Sequence, residues 1–259
     1  MTALPRFMVA PNGARLTKAD HPALPVTIEE TVACALACHA AGADGLHAHV
    51  RDTEQRHFLD VGLYAELLSE LGQRAPDLYV QITSEAAGRF TPAEQRHLVE
   101  TLKPRAVSVA LREITANQDN AVTRRFFAMC AEAMIDVQHI LYDTADIAHL
   151  ARLVAQGDVP RDRLKTLIVL GRYTNGQTST PAEVAALAQR LKSALPDADW
   201  AACAFGPQET ACLIEAMRHG GKTRIGFENN RLNTDGQVAA NNAERVTELV
   251  TKAKRAGFA

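Results

Sequence analysis

No stretch of this 259-residue sequence approaches the roughly 18 consecutive apolar residues of a membrane-spanning helix. Its first residues, Met1-Thr2-Ala3-Leu4-Pro5-Arg6, lack the apolar run of a secretion signal, so the expected location is cytoplasmic. No block of one charge stands out: 28 basic residues oppose 30 acidic ones for a net charge of −2, which argues against general binding to nucleic acid or anionic membrane. Cysteine is sparse. The five, Cys34, Cys38, Cys130, Cys203 and Cys212, are odd in number and widely spread, which fits reduced thiols rather than a disulfide framework. Cys34 and Cys38, four apart, point down one helix face as core residues do, and an iron–sulfur motif would need a third Cys near position 41, where Ala41 stands. The G-x-G-x-x-G turn of a dinucleotide site is missing, and Gly221-Lys222-Thr223 fails as a phosphate loop because Ala216 replaces its first glycine.

What is present is a globular composition, with 47% hydrophobic and 22% charged residues, arranged in an alternation of two periods. Short Val- and Ile-rich runs mark strands at Phe7–Ala10, Gly45–Val50, Leu78–Ile82, Ala106–Ala110, Val137–Leu141, Thr166–Leu170, Trp200–Cys203 and Arg224–Phe227. A stretch of helical periodicity follows each. Thr27…Glu30, Thr91…Glu94 and Thr180…Glu183 each place a hydroxyl at a helix N-cap and a carboxylate three residues on. The last helix carries Val246, Leu249, Val250 and Ala253 on one face and stops at Gly257. Eight such units average about 32 residues, the size of one strand-helix crossover unit, and no linker divides them. The sequence therefore predicts an α/β fold, a (β/α)8 TIM barrel, as a single domain over residues 1–259, with a doubly wound open sheet as the alternative.

In such a barrel the chemistry sits where strands end at their carboxyl side. The second strand ends His47-Ala48-His49-Val50-Arg51-Asp52, and alternation puts His47, His49 and Arg51 on the face aimed at the barrel mouth. Two histidines at i, i+2 on a strand hold their nitrogens close enough to share one metal ion. With nine His in the chain, one such pair arises by chance with an expectation of about 0.3, so the motif needs its context. The last strand supplies it in Arg224-Ile225-Gly226-Phe227-Glu228, where Glu228 shares a face with Arg224 and can approach His47 and His49 across the closure of the barrel. Two His and one carboxylate leave a coordination position open, as catalytic sites do; zinc is the favoured ion, although iron(II) or manganese could use the same set.

Four ordered segments carry a resemblance: Ala10-Pro11-Asn12-Gly13-Ala14-Arg15, His21-Pro22-Ala23-Leu24-Pro25-Val26-Thr27, His47-Ala48-His49-Val50-Arg51-Asp52 and Gly226-Phe227-Glu228-Asn229-Asn230. Together they resemble the β-keto acid cleavage enzymes. The resemblance implies a zinc-dependent (β/α)8 enzyme, expected to be a homo-oligomer, that condenses a small β-keto acid with acetyl-CoA to give acetoacetate and a new acyl-CoA. It assigns the metal to His47, His49 and Glu228, and the keto acid's carboxylate to Thr83 and Ser108. It also marks two departures. Arg224 matches a family Arg that works with an Asp as general base, but Asn229 stands in place of the Asp, and an amide cannot take that proton. Glu85, Glu113 or Asp143 at strand ends, or a metal-bound hydroxide, are the replacements on offer, unless turnover is weak. Arg15 stands where the family's characterised member directs a Glu at a substrate amine, which argues for a neutral or anionic substrate side chain.

Two rival functions remain at this stage. A metal-dependent hydrolase also starts its site with His-x-His in a barrel and would recruit further histidines, such as His139 on the fifth strand. A non-catalytic metal and ligand binder is the other.

Overall fold

Each of the three hydroxyl-x-x-Glu boxes opens a helix, with Thr27, Thr91 and Thr180 accepting from the backbone N–H of Glu30, Glu94 and Glu183, and each Glu side chain returning to its cap. Satisfying orphan donors in this way contributes about 1 kcal/mol per helix start. The computed structural model describes residues 3–258. In chain order the elements are β1 (Phe7–Val9), α1 (Ile28–Ala40), β2 (Gly45–Ala48), β3 (Val50–Arg51), β4 (His57–Phe58), α2 (Val61–Arg74), β5 (Tyr79–Thr83), α3 (Pro92–Leu102) and β6 (Ala106–Ala110). They continue with α4 (Leu111–Ile114), α5 (Asn120–Glu132), β7 (Asp136–Leu141), α6 (Thr144–Ala155), β8 (Lys165–Leu170), α7 (Pro181–Ala194), β9 (Asp199–Ala204), α8 (Glu209–Arg218), β10 (Lys222–Ile225) and α9 (Asn242–Arg255).

Among the described residues, eight strands pair in parallel and close in the order β1-β10-β9-β8-β7-β6-β5-β2, so the expected TIM barrel is the fold and the open sheet is not. The two-residue alternation of each strand sorts its side chains. Val9, Leu46, Ile82, Val107, Val109, Leu141, Ile168 and Ile225 face outward into one continuous core with the helices. Inside the barrel, Met8, Tyr79 and Ala106 pack at the amino end of the strands, beside a Lys165–Asp136 ion pair at 2.6 Å and a Lys222–Asp199 pair. Leu167, Ile140, Val169 and Cys203 fill the opposite wall. Cys34 and Cys38 lie 4.0 Å apart on α1, against the same outer core.

Most strand ends differ from the sequence expectation by a residue or so, and two of the differences shape the site. The second barrel strand stops at Ala48, and Val50–Arg51 instead joins His57–Phe58 in an antiparallel hairpin over the barrel rim. The last strand stops at Ile225 because Gly226 takes φ +145°, a conformation that other residues avoid. Glu228 thus sits on a turn, not on a strand face.

Candidate metal centre and active site

Glu228 is held by three clamps on consecutive backbone N–H groups. Gly226 N–H donates to Glu209 on α8 at 3.2 Å, Phe227 N–H to Asn242 on α9 at 2.9 Å, and Glu228 N–H to the Ala10 carbonyl at 3.1 Å. Glu209 is itself buried and paired with Arg245 at 3.0 Å, which compensates its charge. The Pro11-Asn12-Gly13 turn does the same for the facing histidine. Asn12 donates to the carbonyls of Pro25 at 3.1 Å and His49 at 2.9 Å, fixing the break after β2. Gly13, at φ +57°, lets the chain pass so close to Glu228 that a Cβ there would lie 2.5 Å from the Glu228 Cγ.

These constraints bring His47, His49 and Glu228 together. Their candidate ligand atoms all lie within 4.8 Å of one another; the two Nε2 atoms are 3.1 Å apart, and Glu228 Oε2 is 3.7 Å from each. Both histidines are 1% exposed. Burial, followed by the nearby Arg224 charge, pushes His47 down to about 4, and burial with the neighbouring His57 holds His49 well below the usual histidine range. Neutral imidazoles are the form that binds a metal. Glu228 Oε2 is buried with no hydrogen-bond partner among the described residues. An unpartnered carboxylate oxygen facing two neutral imidazoles is a two-nitrogen, one-oxygen donor set, and it fits a divalent ion such as zinc.

Arg224 lies inside the barrel, 3% exposed, with Nη2 3.3 Å from Glu228 Oε1 and 3.3 Å from Cys203 Sγ. Its Nε and Nη1 find no partner among the described residues, nor do Oδ1 and Nδ2 of the buried Asn229. Unspent polar atoms so deep in the protein mark a place shaped for a ligand. Above them opens a cavity of about 450 Å³ whose wall includes Arg15, Glu85, Arg172, Glu228 and Asn229. Arg15 and Arg172 have no ion pair or side-chain hydrogen bond among the described residues; Arg172 stacks on Phe205 and Tyr173. Thr83 and Ser108 are register partners on β5 and β6, with hydroxyls 3.4 Å apart, and are buried beneath the cavity rather than in its wall.

Of the carboxylates offered as replacement bases, only Glu85 faces the cavity. Burial, then the charges of Glu228 and Glu113, raises it to about 7, and its Oε2 is 4.0 Å from His49 Nε2. Glu113 is occupied by the Ala86 N–H and Gln95, while Asp143 caps α6 and pairs with Arg112 at 2.9 Å.

One sequence expectation needs correction, and one rival reading loses its support. Arg51 does not aim into the mouth: from the hairpin it donates to the carbonyls of Asn12, Gly13 and Gln55, bracing the turn that carries Gly13. His139 does not join the metal cluster. It faces outward from β7, with its ring 5.0 Å from that of Phe127 in the helix layer, which removes the histidine that the hydrolase reading needed. Sequence reasoning missed Asn12, Gln81, His57, Glu209 and Asn242. Only the polarity of Gln81 within an otherwise apolar strand run, Tyr79-Val80-Gln81-Ile82, offered a local signal.

The closed parallel barrel with polar groups gathered at the carboxyl ends of its strands defines a TIM-barrel protein. A sequence model of the family described as beta-keto acid cleavage enzyme matches residues 7–259, and the chain belongs to that family. It is similar to the 3-keto-5-aminohexanoate cleavage enzyme of Fusobacterium nucleatum subsp. nucleatum, 26% identical over 95% of this chain and 89% of that one. It is also similar to the 3-oxoadipate:acetyl-CoA acetyltransferase of Cupriavidus necator, 24% identical over 96% of this chain and 88% of that one. Among solved structures, that of apo ObcA superposes with a TM-score of 0.71 at 14% identity over 91% of this chain. The chain spans 63% of that longer protein. The type I 3-dehydroquinate dehydratase of Clostridium difficile gives a TM-score of 0.61 at 13% identity, covering 97% of this chain and 94% of that one. These structural likenesses speak for the barrel alone. Among the described residues no helix is long and apolar enough to cross a membrane.

Proposed function

We propose that this member of the family is a metal-dependent enzyme that exchanges acyl groups between a β-keto acid and acetyl-CoA, releasing acetoacetate and a new acyl-CoA. C2 of the keto acid bonds to the acetyl carbonyl carbon as the acetyl carbon–sulfur bond breaks; the freed coenzyme thiolate then bonds to C3 as C2–C3 breaks, and the acetoacetate carbanion regains the proton first taken from C2, so atoms balance without oxidant or reductant. The observation that carries the reading is the convergence of His47, His49 and Glu228 under a cavity of about 450 Å³. Zinc held by these three would supply a Lewis acid for the ketone oxygen and for the enolate-like charge that develops beside it.

The chain's own residues do the rest. Glu85 faces the cavity beside His49 and takes the C2 proton, the role that the Asn229 amide cannot fill. Arg224 keeps a positive charge at the floor with two unspent donors toward developing negative charge. Thr83 and Ser108 offer hydroxyls for the keto acid's carboxylate. Arg15 and Arg172, two cations in the cavity wall that close no ion pair within 4.0 Å among the described residues, favour a keto acid whose far end is neutral or anionic over one that bears an amine. The similarity to the 3-oxoadipate:acetyl-CoA acetyltransferase of Cupriavidus necator supports the use of acetyl-CoA and of a keto acid with a second carboxylate.

The test is to incubate the protein with zinc, acetyl-CoA and a panel of β-keto acids and follow acetoacetate and acyl-CoA together. Equimolar appearance of both, abolished by chelation and restored by zinc, is expected. Tight binding of keto acid with no product on any substrate would establish the non-catalytic binder, and turnover that survives exhaustive chelation would remove the metal from the mechanism.

A further inference from the structure

Two hydrogen-bond chains leave the paired imidazoles in different directions, and each ends on a backbone carbonyl, a group that can only accept. In the first, the Thr166 carbonyl faces Gln138 Nε2 at 3.1 Å, Gln138 Oε1 faces Gln81 Nε2 at 3.0 Å, and Gln81 Oε1 faces His47 Nδ1 at 2.9 Å. Because Gln138 must donate to Thr166, it turns its oxygen to Gln81, and Gln81 in turn presents its oxygen to His47. His47 therefore donates from Nδ1. In the second chain the Glu85 carbonyl faces His57 Nε2 at 2.8 Å, and His57 Nδ1 faces His49 Nδ1 at 3.3 Å. A neutral His57 that donates from Nε2 has a lone pair on Nδ1, so His49 must also donate from Nδ1.

We propose that Gln81, backed by Gln138, and His57 are positioning residues that hold both ligand histidines as Nδ1–H tautomers, with each Nε2 lone pair turned toward Glu228 before any ion arrives. Gln81 and Gln138 are 0% and 1% exposed, and His57 is 1% exposed, so water does not compete for these polar groups. The two arrangements are independent in origin, one from the barrel interior and one from the rim hairpin, yet they impose the same polarity on both rings. That shared outcome is what a bidentate imidazole site requires: a single Nε2–H would put a proton between the donors and leave one ligand short. The proposal rests on the metal-site reading above.

The tautomers can be read directly. Two-bond proton–nitrogen correlations in metal-free protein labelled with nitrogen-15 at histidine distinguish Nδ1–H from Nε2–H rings, and both His47 and His49 are expected as Nδ1–H. Zinc affinity, measured by chelator competition, is expected to fall about 10- to 100-fold in Gln81→Leu and in His57→Phe, which keep most of the bulk but lose the acceptor. His57→Asn, whose Oδ1 can stand where Nδ1 stood, should recover most of the loss seen in His57→Phe. Wild-type protein that binds no zinc sinks the metal site and this proposal together. Zinc binding in the wild type with an Nε2–H ring at either position, unchanged affinity in both acceptor-free variants, or equal losses in His57→Asn and His57→Phe overturns this proposal alone. The ring spectra need no variant, so a substitution that fails to fold leaves the decisive measurement standing.

Discussion

Gly13→Ala isolates the close approach that seats Glu228. A Cβ on residue 13 would lie 2.5 Å from Glu228 Cγ and 3.2 Å from its Cδ. Carbon atoms in van der Waals contact sit about 3.5 Å apart or more, so the carboxylate stem must retreat by about 1 Å. Metal–ligand bonds tolerate only about 0.2 Å, so a displacement of that size takes Glu228 out of the coordination set. The substitution also costs roughly 1–2 kcal/mol because alanine is strained at φ +57°. Gly157→Ala separates the two effects: its φ is +74°, nothing among the described residues lies within 4 Å of an added Cβ, and it follows α6 at the far end of the barrel. Urea denaturation of the metal-free proteins should show similar losses of stability for both variants. Chelator competition should show zinc affinity unchanged in Gly157→Ala and weakened by at least about 10- to 100-fold in Gly13→Ala. Wild-type zinc affinity in Gly13→Ala would refute the steric argument, and with it the claim that Glu228 reaches the ion from this turn.

Three further outcomes are expected. Glu85→Gln should lower turnover by roughly 10²- to 10⁴-fold while zinc affinity stays within about threefold, and Asn229→Asp should not raise the rate; a gain in the latter would return the base to position 229. Arg172→Met should lower kcat/KM for keto acids with a second carboxylate by about 10- to 100-fold relative to uncharged ones, measured as competition between the two, and an equal loss for both would remove the charge from specificity. Burial depresses His139 to about 4, so below pH 6.5 the unfolded chain takes up a proton that the folded one refuses, and stability falls as pH drops toward 4. The effect is absent above pH 6.5 and amounts to about 2 kcal/mol at pH 5, so His139→Leu should recover about that much between pH 7.5 and pH 5 in paired urea titrations; parallel curves would contradict it.

Much of the barrel is legible along the chain because strand, helix and cap signals are local. Val-rich runs of four to six residues, hydroxyl-x-x-Glu boxes and the two-residue alternation depend on neighbours within a turn or two, and eight such units admit few closures. The His47–His49 pair is local in the same sense, since two alternate positions on one strand share a face by geometry alone. The two misplaced strand ends that shape the site, at His49 and Gly226, are where distant segments outweigh local preference: Asn12 takes the carbonyl of His49, and Glu209 and Asn242 take the N–H groups of Gly226 and Phe227.

The sequence alone determined the repeating unit and the paired imidazoles, because each follows from spacings of a few residues, and it favoured the barrel over the open sheet that strand pairing then excluded. Tertiary structure alone decided that Glu228 reaches those imidazoles from a turn instead of a strand face, that Glu85 faces the cavity while Glu113 and Asp143 are spent elsewhere, and that Arg51 braces a turn. Those choices depend on groups that lie dozens to hundreds of residues apart until closure brings them together, and no local pattern records which of several equivalent side chains will meet.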